Sequence, residues 1–371
     1  MRFTVDHAAL APALATVTRV VQARPARPVL SAVLLEAGEG YLRATATDLE
    51  TAISATVPAA VEEDGRAALP ARYLNEMMRR IPGGTLTWST EAGTAGAHIR
   101  WGKTQLTIHG YEPNDYPTAA SFPDHPDRTI AQGLLRHAIT HTAFAAAQGE
   151  TARALLTGVE LRFAGDALFA LATDGFQAAA YETQPGSPRP TEGAIVVPAS
   201  VLVEVARLLA DPDQPCDIAQ QGNQILFRAG SVHLAARLLE GKYFAVLDLV
   251  PKAFPTTIRV ARTALIGACE RVGLICEADP PHAVTLDVAA EQLTLTATHA
   301  DVGTAEETLE GAIDGPPLRL GFNVRQMTEG LRRFEGGEIL LEISGITSLA
   351  RFTDPTDRRL NYLQMPLQMP E

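Results

Sequence analysis

The 371-residue chain repeats itself three times at an interval of about 125 residues, and this repeat constrains the fold more than any other feature. Each copy has an alternating apolar and polar run, a polar turn, a second alternating run and an Ala-Thr pair. The three pairs are Ala46-Thr47, Ala172-Thr173 and Ala297-Thr298. This interval is far above that of a solenoid repeat and equals a normal domain size. The sequence therefore predicts three homologous domains.

The boundaries of these domains follow from the composition of the joins. Proline and acidic residues concentrate near residues 113–128 and again near residues 248–257, as is typical of connecting segments. We predict domains at residues 1–122, 123–253 and 254–371.

Helical patterns flank the Ala-Thr segment in every copy. The six predicted helices cover residues 8–22, 71–81, 133–148, 199–209, 262–276 and 324–334. The second helix of each copy follows a residue suited to a helix start, namely Pro70, Pro198 and Asn323. The remaining segments alternate as strands do. We predict an α+β fold in which the helices pack on one face of antiparallel sheets.

The charge is distributed unevenly between these elements. The six helical segments carry a net charge of +7, whereas the rest of the chain carries −19 of the total of −12. If the helices share one side of the molecule, that side suits contact with phosphates that is independent of base sequence. The alternative is that arginine simply keeps the helix surfaces solvated.

The sequence contains few residue patterns that indicate an enzyme or a metal site. The sequence has no nucleophile elbow, phosphate-binding loop, dinucleotide fingerprint or His-Glu-x-x-His motif. His137 and His141 are four residues apart on a helix, but a metal site would need ligands that the neighbouring sequence does not offer. Asp48 and Asp174 recur with the repeat, which favours a role in turns over a catalytic carboxylate pair. We expect no catalytic residues, no metal and no cofactor.

The sequence also gives no indication of a membrane span, a secretion signal or a disulfide. No stretch is apolar enough to cross a bilayer, and the N-terminal residues do not resemble a secretion signal, so we expect a cytoplasmic protein. The cysteines, Cys216, Cys269 and Cys276, have no metal-ligand spacing and are expected to be small buried apolar residues.

Several motifs together resemble one known family over the whole chain. They are MRFTVDHAAL, ARPARPVLSAVLLEA, TATDLE, LATDG, VPASVLVEVARLL, GFNV and the ending YLQMPLQMP. Their order and spacing resemble the β subunit of bacterial DNA polymerase III, the β sliding clamp family. The resemblance implies a head-to-tail homodimeric ring that encircles double-stranded DNA without sequence preference. It implies a processivity factor and not an enzyme.

The resemblance also assigns residues to three surfaces. By this resemblance, the residues that contact DNA are Arg24, Arg72, Arg79 and Gln148. The dimer interface falls to Leu106, Leu274 and Ile275. The pocket for partner peptides falls to Leu156, Thr173, Gly175, Phe176, Leu249, Asn323, Ile346, Ser348, Leu363, Met365, Pro366 and Leu367. The implied partners are the DNA polymerase III α subunit, the clamp loader and repair proteins that carry clamp-binding motifs. The alternative is a three-domain scaffold that binds proteins but never encircles DNA.

Overall fold

A computed structural model describes residues 1–90, 95–149, 151–164, 167–184, 193–277, 280–289 and 291–368. Within these residues there are six α-helices, two for each copy of the repeat. Their bounds are α1 His7–Val17, α2 Ala71–Arg80, α3 Gln132–Thr142, α4 Ala199–Leu208, α5 Arg262–Gly273 and α6 Val324–Leu331.

The predicted helices exist, but all six end before the residue that the sequence pattern indicates, α2 and α4 by a single residue and the other four by more. The first helix of each copy ends early and continues as a single turn of 3₁₀ helix, at Thr18–Val20, Ala143–Ala145 and Leu274–Cys276. Apolar residues continue through these turns, so the periodicity runs past the end of the α-helix. The last helix, α6, ends at Leu331 rather than at residue 334.

The strands within the described residues number twenty-six. Their bounds are β1 Arg2–Asp6, β2 Ala32–Gly38, β3 Tyr41–Thr47, β4 Thr51–Pro58, β5 Ala60–Glu63, β6 Gly65–Pro70, β7 Thr85–Ser89, β8 Gly96–Trp101, β9 Thr104–His109, β10 Arg128–Ala131, β11 Gly158–Ala164, β12 Ala167–Thr173, β13 Gln177–Glu182, β14 Ile195–Pro198, β15 Pro215–Gln221, β16 Gln224–Ala229, β17 Val232–Arg237, β18 Thr256–Ala261, β19 Ala283–Ala289, β20 Gln292–His299, β21 Gly303–Glu310, β22 Ala312–Asp314, β23 Leu318–Asn323, β24 Glu338–Ile343, β25 Ala350–Thr353 and β26 Leu360–Gln364.

The chain forms two compact units, and the described residues of each form two antiparallel sheets. Unit 1 comprises residues 1–133 and 207–238. One of its sheets has the order β5-β1-β7-β8-β9, and the other has the order β10-β15-β16-β17-β4-β3-β2-β6. Unit 2 comprises residues 134–206 and 239–371. Its sheets have the orders β14-β11-β12-β13-β26-β25-β24-β18-β22 and β21-β20-β19-β23.

The larger sheet of each unit joins strands from two copies of the repeat. In unit 1, β17 of the middle copy pairs with β4 of the first copy, in register from Val232 opposite Ala55. In unit 2, β13 of the middle copy pairs with β26 of the third copy, in register from Gln177 opposite Gln364. The middle copy therefore contributes strands to both units, which is why the compact units do not follow the sequence repeat.

The helices pack on these sheets as the sequence predicts. Helix α1 lies against β3 and β4 and contacts α2, while α5 lies against β20 and β21 and contacts α6. The apolar stripe of α1, with Leu10, Leu14 and Val17, is fully buried. The α+β fold with antiparallel sheets is confirmed.

The cysteines lie in the interior. Cys216, Cys269 and Cys276 are buried and free, as the sequence predicts. Burial raises the pKa of the Cys216 thiol and of the Cys269 thiol to about 12, so both remain protonated at neutral pH. No helix in the described part of the chain is long and apolar enough to cross a membrane.

Candidate functional site

Unit 2 contains an apolar groove of about 670 Å³ at the place where the pocket residues were predicted. Seven of the twelve predicted residues line it: Leu156, Thr173, Gly175, Phe176, Leu249, Ser348 and Met365. Phe176 and Leu249 are 67% and 70% exposed, which is unusual for large apolar side chains. An open groove with exposed apolar walls is a candidate site for a partner with its own apolar side chains.

A tight turn between β12 and β13 presents Phe176 to solvent. Thr173 Oγ1 donates to the Gln177 carbonyl at 2.6 Å and accepts the Gly175 N–H at 3.0 Å. Asp174 Oδ1 accepts the N–H groups of Phe176 and Gln177, each at 2.8 Å. Gly175 has a φ of +97°, a conformation that favours glycine. The sequence Thr-Asp-Gly thus fixes the wall of the groove.

The same turn recurs in the other two copies of the repeat. In the first copy, Asp48 Oδ1 accepts the N–H groups of Glu50 at 3.0 Å and Thr51 at 2.7 Å. In the third copy, Nδ1 of His299 takes the place of the carboxylate and accepts the N–H groups of Asp301 and Val302. Both aspartates therefore act within their own turns, as predicted.

Buried residues beneath the groove hold this turn in place. The Tyr243 hydroxyl accepts the Thr173 N–H at 3.1 Å and donates to the Gly158 carbonyl at 2.9 Å. Burial raises the pKa of Tyr243 well above its usual value, so the hydroxyl remains a donor at any physiological pH. The Met365 N–H donates to the Phe176 carbonyl at 2.8 Å, which connects the chain after β26 to the turn.

The other five predicted pocket residues do not line the groove. Leu363 is fully buried in the core cluster under the groove, and Ile346 is exposed outside the lining. Asn323 caps α6 by accepting the Gln326 N–H, so its role is structural. Pro366 is buried, and the Leu367 N–H donates to the Gly321 carbonyl at 2.8 Å. Leu363 therefore packs beneath the groove, while the other four residues lie outside its lining.

Several residues of the groove were not predicted from the sequence. They are Arg153, Gln177, Phe244, Ala245, Val246, Pro251, Thr347 and Leu349. Most lie in irregular segments or turns, where no strand or helix periodicity indicates which side chains face the groove. Arg153 is the one ionisable side chain among the lining residues. An extended apolar peptide with an acidic group near Arg153 would complement this chemistry.

The four residues predicted to contact DNA are all exposed. Arg24 follows the 3₁₀ turn after α1, while Arg72 and Arg79 lie on α2. Gln148 lies after α3, in unit 2. Within the described residues Arg24 and Arg72 form no ion pair, whereas Arg79 lies 3.6 Å from Glu76. Arg24 and Arg72 are therefore the more available for phosphates.

The positive charge of the helices is smaller than the sequence pattern indicates. Arg19, Arg332 and Arg333 lie beyond the observed helix ends, so the helices proper carry less net charge than the predicted segments. Arginines on the helices and directly after them also face carboxylates. Arg271 pairs with Glu307 at 2.6 Å, and Arg332 pairs with Glu270 at 2.7 Å. The predicted excess of positive charge is thus partly neutralised within the chain itself.

The predicted interface residues lie on an edge strand of one sheet and in the 3₁₀ turn that follows α5. Leu106 is on β9, an edge strand of its sheet, and lines a groove of about 590 Å³ with Tyr73 and Trp101 in unit 1. Leu274 is 66% exposed in the 3₁₀ turn after α5, and Ile275 beside it is half-buried. In unit 2, Leu274 lines a second groove of about 440 Å³.

Comparison with known proteins identifies the class of protein to which the chain belongs. Three family models cover almost the whole chain: the N-terminal, central and C-terminal domains of the DNA polymerase III β subunit match residues 1–120, 129–244 and 248–368. A β sliding clamp of Synechococcus elongatus is 30% identical over the full length of both chains. These matches are all to DNA sliding clamps.

Solved structures agree with the sequence matches. The DNA polymerase sliding clamp from Bacillus subtilis has a TM-score of 0.93 at 26% identity, with both chains covered completely. A sliding clamp from Pseudomonas aeruginosa, bound to griselimycin, has a TM-score of 0.90 at 27% identity, again with complete coverage.

The chain belongs to the DNA polymerase III β subunit family. It has three clamp domains, and its function is that of a DNA sliding clamp, a processivity factor without catalytic activity of its own. DNA and a DNA polymerase are its partners. The family prediction made from the sequence is confirmed.

Proposed function

We propose that two copies of this chain close head to tail into a ring of six domains around duplex DNA. The domains are those at residues 1–122, 123–253 and 254–371. The observation that carries the proposal is a pair of sheet-edge strands, β9 in unit 1 and β21 in unit 2. Each has exposed apolar side chains nearby and only one strand partner among the described residues. A contact between two different surfaces generates a closed ring when the rotation between copies closes.

The first of these surfaces is the edge strand β9 with helix α2. Within the described residues β9 is hydrogen-bonded to β8 alone. Five of its six residues are exposed, and Tyr73 of α2, beside it, is 64% exposed. A free strand edge next to exposed apolar side chains is aggregation-prone unless a partner covers it.

The second surface is the edge strand β21 with the 3₁₀ turn after α5. Within the described residues β21 is hydrogen-bonded to β20 alone, and Leu274 and Val302 are exposed near its sheet. The strand carries Glu306 and Glu310, whereas the β8–β9 hairpin carries Arg100 and Lys103. Opposite charges on the two edges favour pairing of β9 with β21 of the next copy.

In such a ring we assign DNA contact to Arg24, Arg72, Arg79 and Gln148. A small number of exposed cations, of which Arg79 is partly neutralised by Glu76, gives weak phosphate contacts that are independent of base sequence. Weak contact permits movement along the duplex, while closure of the ring prevents dissociation. Processivity then depends on topology and not on affinity.

Replacement of Arg72 by alanine is expected to weaken the association with a short linear duplex at low salt. One lost phosphate contact reduces the slope of log K against log salt by about 1. Arg79→Ala should have a smaller effect because Glu76 already neutralises part of the Arg79 charge. Fluorescence anisotropy across a series of salt concentrations measures both effects.

The matched control for this experiment is Arg66→Ala. Arg66 lies on strand β6 and pairs with Glu36 at 3.0 Å. It is expected to leave the salt slope unchanged. An equal loss of slope for Arg66→Ala and Arg72→Ala would contradict the assignment of DNA contact to α2.

For the groove in unit 2 we propose a role as the docking site for short peptides. The partners are the polymerase α subunit, the clamp loader and repair proteins with clamp-binding motifs. Phe176, Leu249 and the flexible side chain of Met365 supply an adaptable apolar surface, which suits several partners with related sequences. Their exposure supports this role, because an apolar surface of this kind is costly in a chain without a partner.

Met365→Ala is expected to weaken the binding of a clamp-binding peptide by about 1–3 kcal/mol, the typical cost of truncating a central contact residue. Titration of a fluorescent peptide from the polymerase α subunit measures the loss. Ile346→Ala is the control, because Ile346 is 60% exposed but lies outside the groove lining. Equal affinities for wild type and Met365→Ala would refute the assignment.

A further inference from the structure

Three potential metal ligands from distant parts of the sequence converge in unit 2, outside the groove and the interface surfaces. His137 and His141 are one turn apart on α3, and Glu335 follows α6. One ring nitrogen of each histidine and a carboxylate oxygen of Glu335 all lie within 4.8 Å of one another. The sequence offered only the two histidines, and the fold supplies the carboxylate that a metal site on α3 would require.

The ring of His141 is already held in one orientation. Its Nδ1 lies 2.7 Å from the His137 carbonyl, which can only accept a hydrogen bond, so Nδ1 carries the proton. The lone pair of the ring is therefore on Nε2. One face of the ring stacks on Tyr181, with ring centroids 5.0 Å apart. A hydrogen bond from the second ring nitrogen to a carbonyl is the usual support of a metal-binding histidine.

The other two ligands are accessible and weakly engaged. His137 and Glu335 are both exposed enough to reach solvent, and the distance from His137 Nδ1 to Glu335 Oε1 is 3.9 Å. In the described part of the chain this is the only ion pair of Glu335. The rings of His137 and His141 are stacked with centroids 5.5 Å apart, so both present nitrogens to the same region.

Nearby arginines do not leave the region positively charged. Arg333 pairs with Glu329, and Arg359 forms a bidentate pair with Asp357, with Nη2 at 2.6 Å from Oδ2. These two pairs are neutral as units. Glu335 forms no arginine ion pair among the described residues, and its carboxylate faces the ring of His137, which favours a cation.

We propose that His137, His141 and Glu335 bind one divalent transition-metal ion, with Zn²⁺ as the preferred ion. Two imidazole nitrogens and one carboxylate oxygen form a ligand set that zinc accepts, with water in the fourth position. The ion joins helix α3 of the middle copy to the segment after α6 of the third copy. It is a structural link within unit 2 and has no part in catalysis.

The geometry requires a small adjustment on binding. Zinc bonds to nitrogen and oxygen are about 2.0–2.2 Å, so ligand atoms around a tetrahedral ion lie about 3.4 Å apart. The present separations of up to 4.8 Å must therefore shrink by on the order of 1 Å. The exposed side chains of His137 and Glu335 can make this movement by rotation alone. Mg²⁺ and Ca²⁺ do not fit, because they need six or more oxygen ligands.

The test is metal titration of the untagged full-length protein after treatment with a chelator. Calorimetry with ZnCl₂ should show one ion per chain, and CoCl₂ should give the visible absorption of a tetrahedral cobalt site. His137→Ala and Glu335→Gln are each expected to lower the affinity by about tenfold or more, because loss of even an outer-shell partner costs 10–100-fold. MgCl₂ should produce no heat.

The control variant is His125→Ala, which removes an exposed histidine of unit 1. It should bind zinc as the wild type does. Thermal unfolding gives a second readout: ZnCl₂ should raise the melting temperature of the wild type and of His125→Ala but not of Glu335→Gln, whose exposed side chain is not needed for folding. The proposal is overturned if ZnCl₂ and CoCl₂ do not bind, or if Glu335→Gln and His137→Ala bind them as tightly as the wild type.

Discussion

Replacing both Leu274 and Ile275 by aspartate is expected to convert the homodimer into monomers. In the proposed ring these two side chains are buried against β9 and α2 of the neighbouring copy. Loss of two buried apolar side chains costs about 3–6 kcal/mol at each contact. The ring has two such contacts, so the total cost is about 6–12 kcal/mol. Because every 1.4 kcal/mol is a factor of ten, the dissociation constant should rise by at least about ten-thousandfold. Sedimentation velocity at micromolar concentration measures the change.

The matched control for this substitution is Leu249→Asp. Leu249 is as exposed as Leu274 but lies in the peptide groove. This variant should remain dimeric and lose peptide binding, whereas the Leu274 and Ile275 variant should do the reverse. Folding of both variants can be checked by circular dichroism. A folded Leu274 and Ile275 variant that stays dimeric would refute the proposed interface.

The second large effect is expected for Asp174→Ala. The Asp174 carboxylate accepts two backbone N–H groups of its turn, and Oδ2 also accepts the side-chain amide of Gln326 at 2.9 Å. Loss of this acceptor leaves polar groups without partners at a cost of about 1–3 kcal/mol. The turn then no longer fixes Phe176, and peptide affinity should fall by tenfold to a hundredfold.

The repeat itself supplies the control for Asp174→Ala. Asp48 accepts two backbone N–H groups in the equivalent turn of the first copy, which does not line the peptide groove of unit 2. Asp48→Ala should therefore destabilise its turn to a similar degree but leave peptide affinity unchanged. If both variants bind the peptide equally well, the turn does not determine the shape of the groove.

The local structure could be read from the sequence because it depends on short-range chemistry. The Ala-Thr pairs mark turns in all three copies, and even His299 makes the hydrogen bonds that Asp48 and Asp174 make. The helix starts were also well predicted. The helix ends were not, because the 3₁₀ turn at Leu274–Cys276 continues the same apolar pattern as α5.

The groove could be predicted only in part, for a geometric reason. Leu363 and Met365 are two residues apart and by alternation should face the same side, yet β26 ends at Gln364 and Met365 lies beyond the regular strand. Leu363 is consequently buried while Met365 lines the groove. Arg153 and Phe244 come from irregular segments, whose side-chain directions have no periodic signal.

Contacts between segments that are far apart in the sequence could not be predicted from the sequence pattern. Alternation identifies β4, β13, β17 and β26 as strands but does not say which strand each one pairs with. The sheets that join copies of the repeat therefore emerge only in the structure. The approach of Glu335 to His137 is another such contact, between residues almost 200 positions apart.

Closure of two chains into a ring is tested most directly by the native mass of the protein in solution. Size-exclusion chromatography with light scattering should give about 79 kDa, twice the chain mass of 39.6 kDa, down to sub-micromolar protein. A stable species of 39.6 kDa would contradict the account. A monomer has only three domains, which do not form the proposed six-domain ring. The residues assigned to DNA contact and to the dimer interface would then no longer be supported.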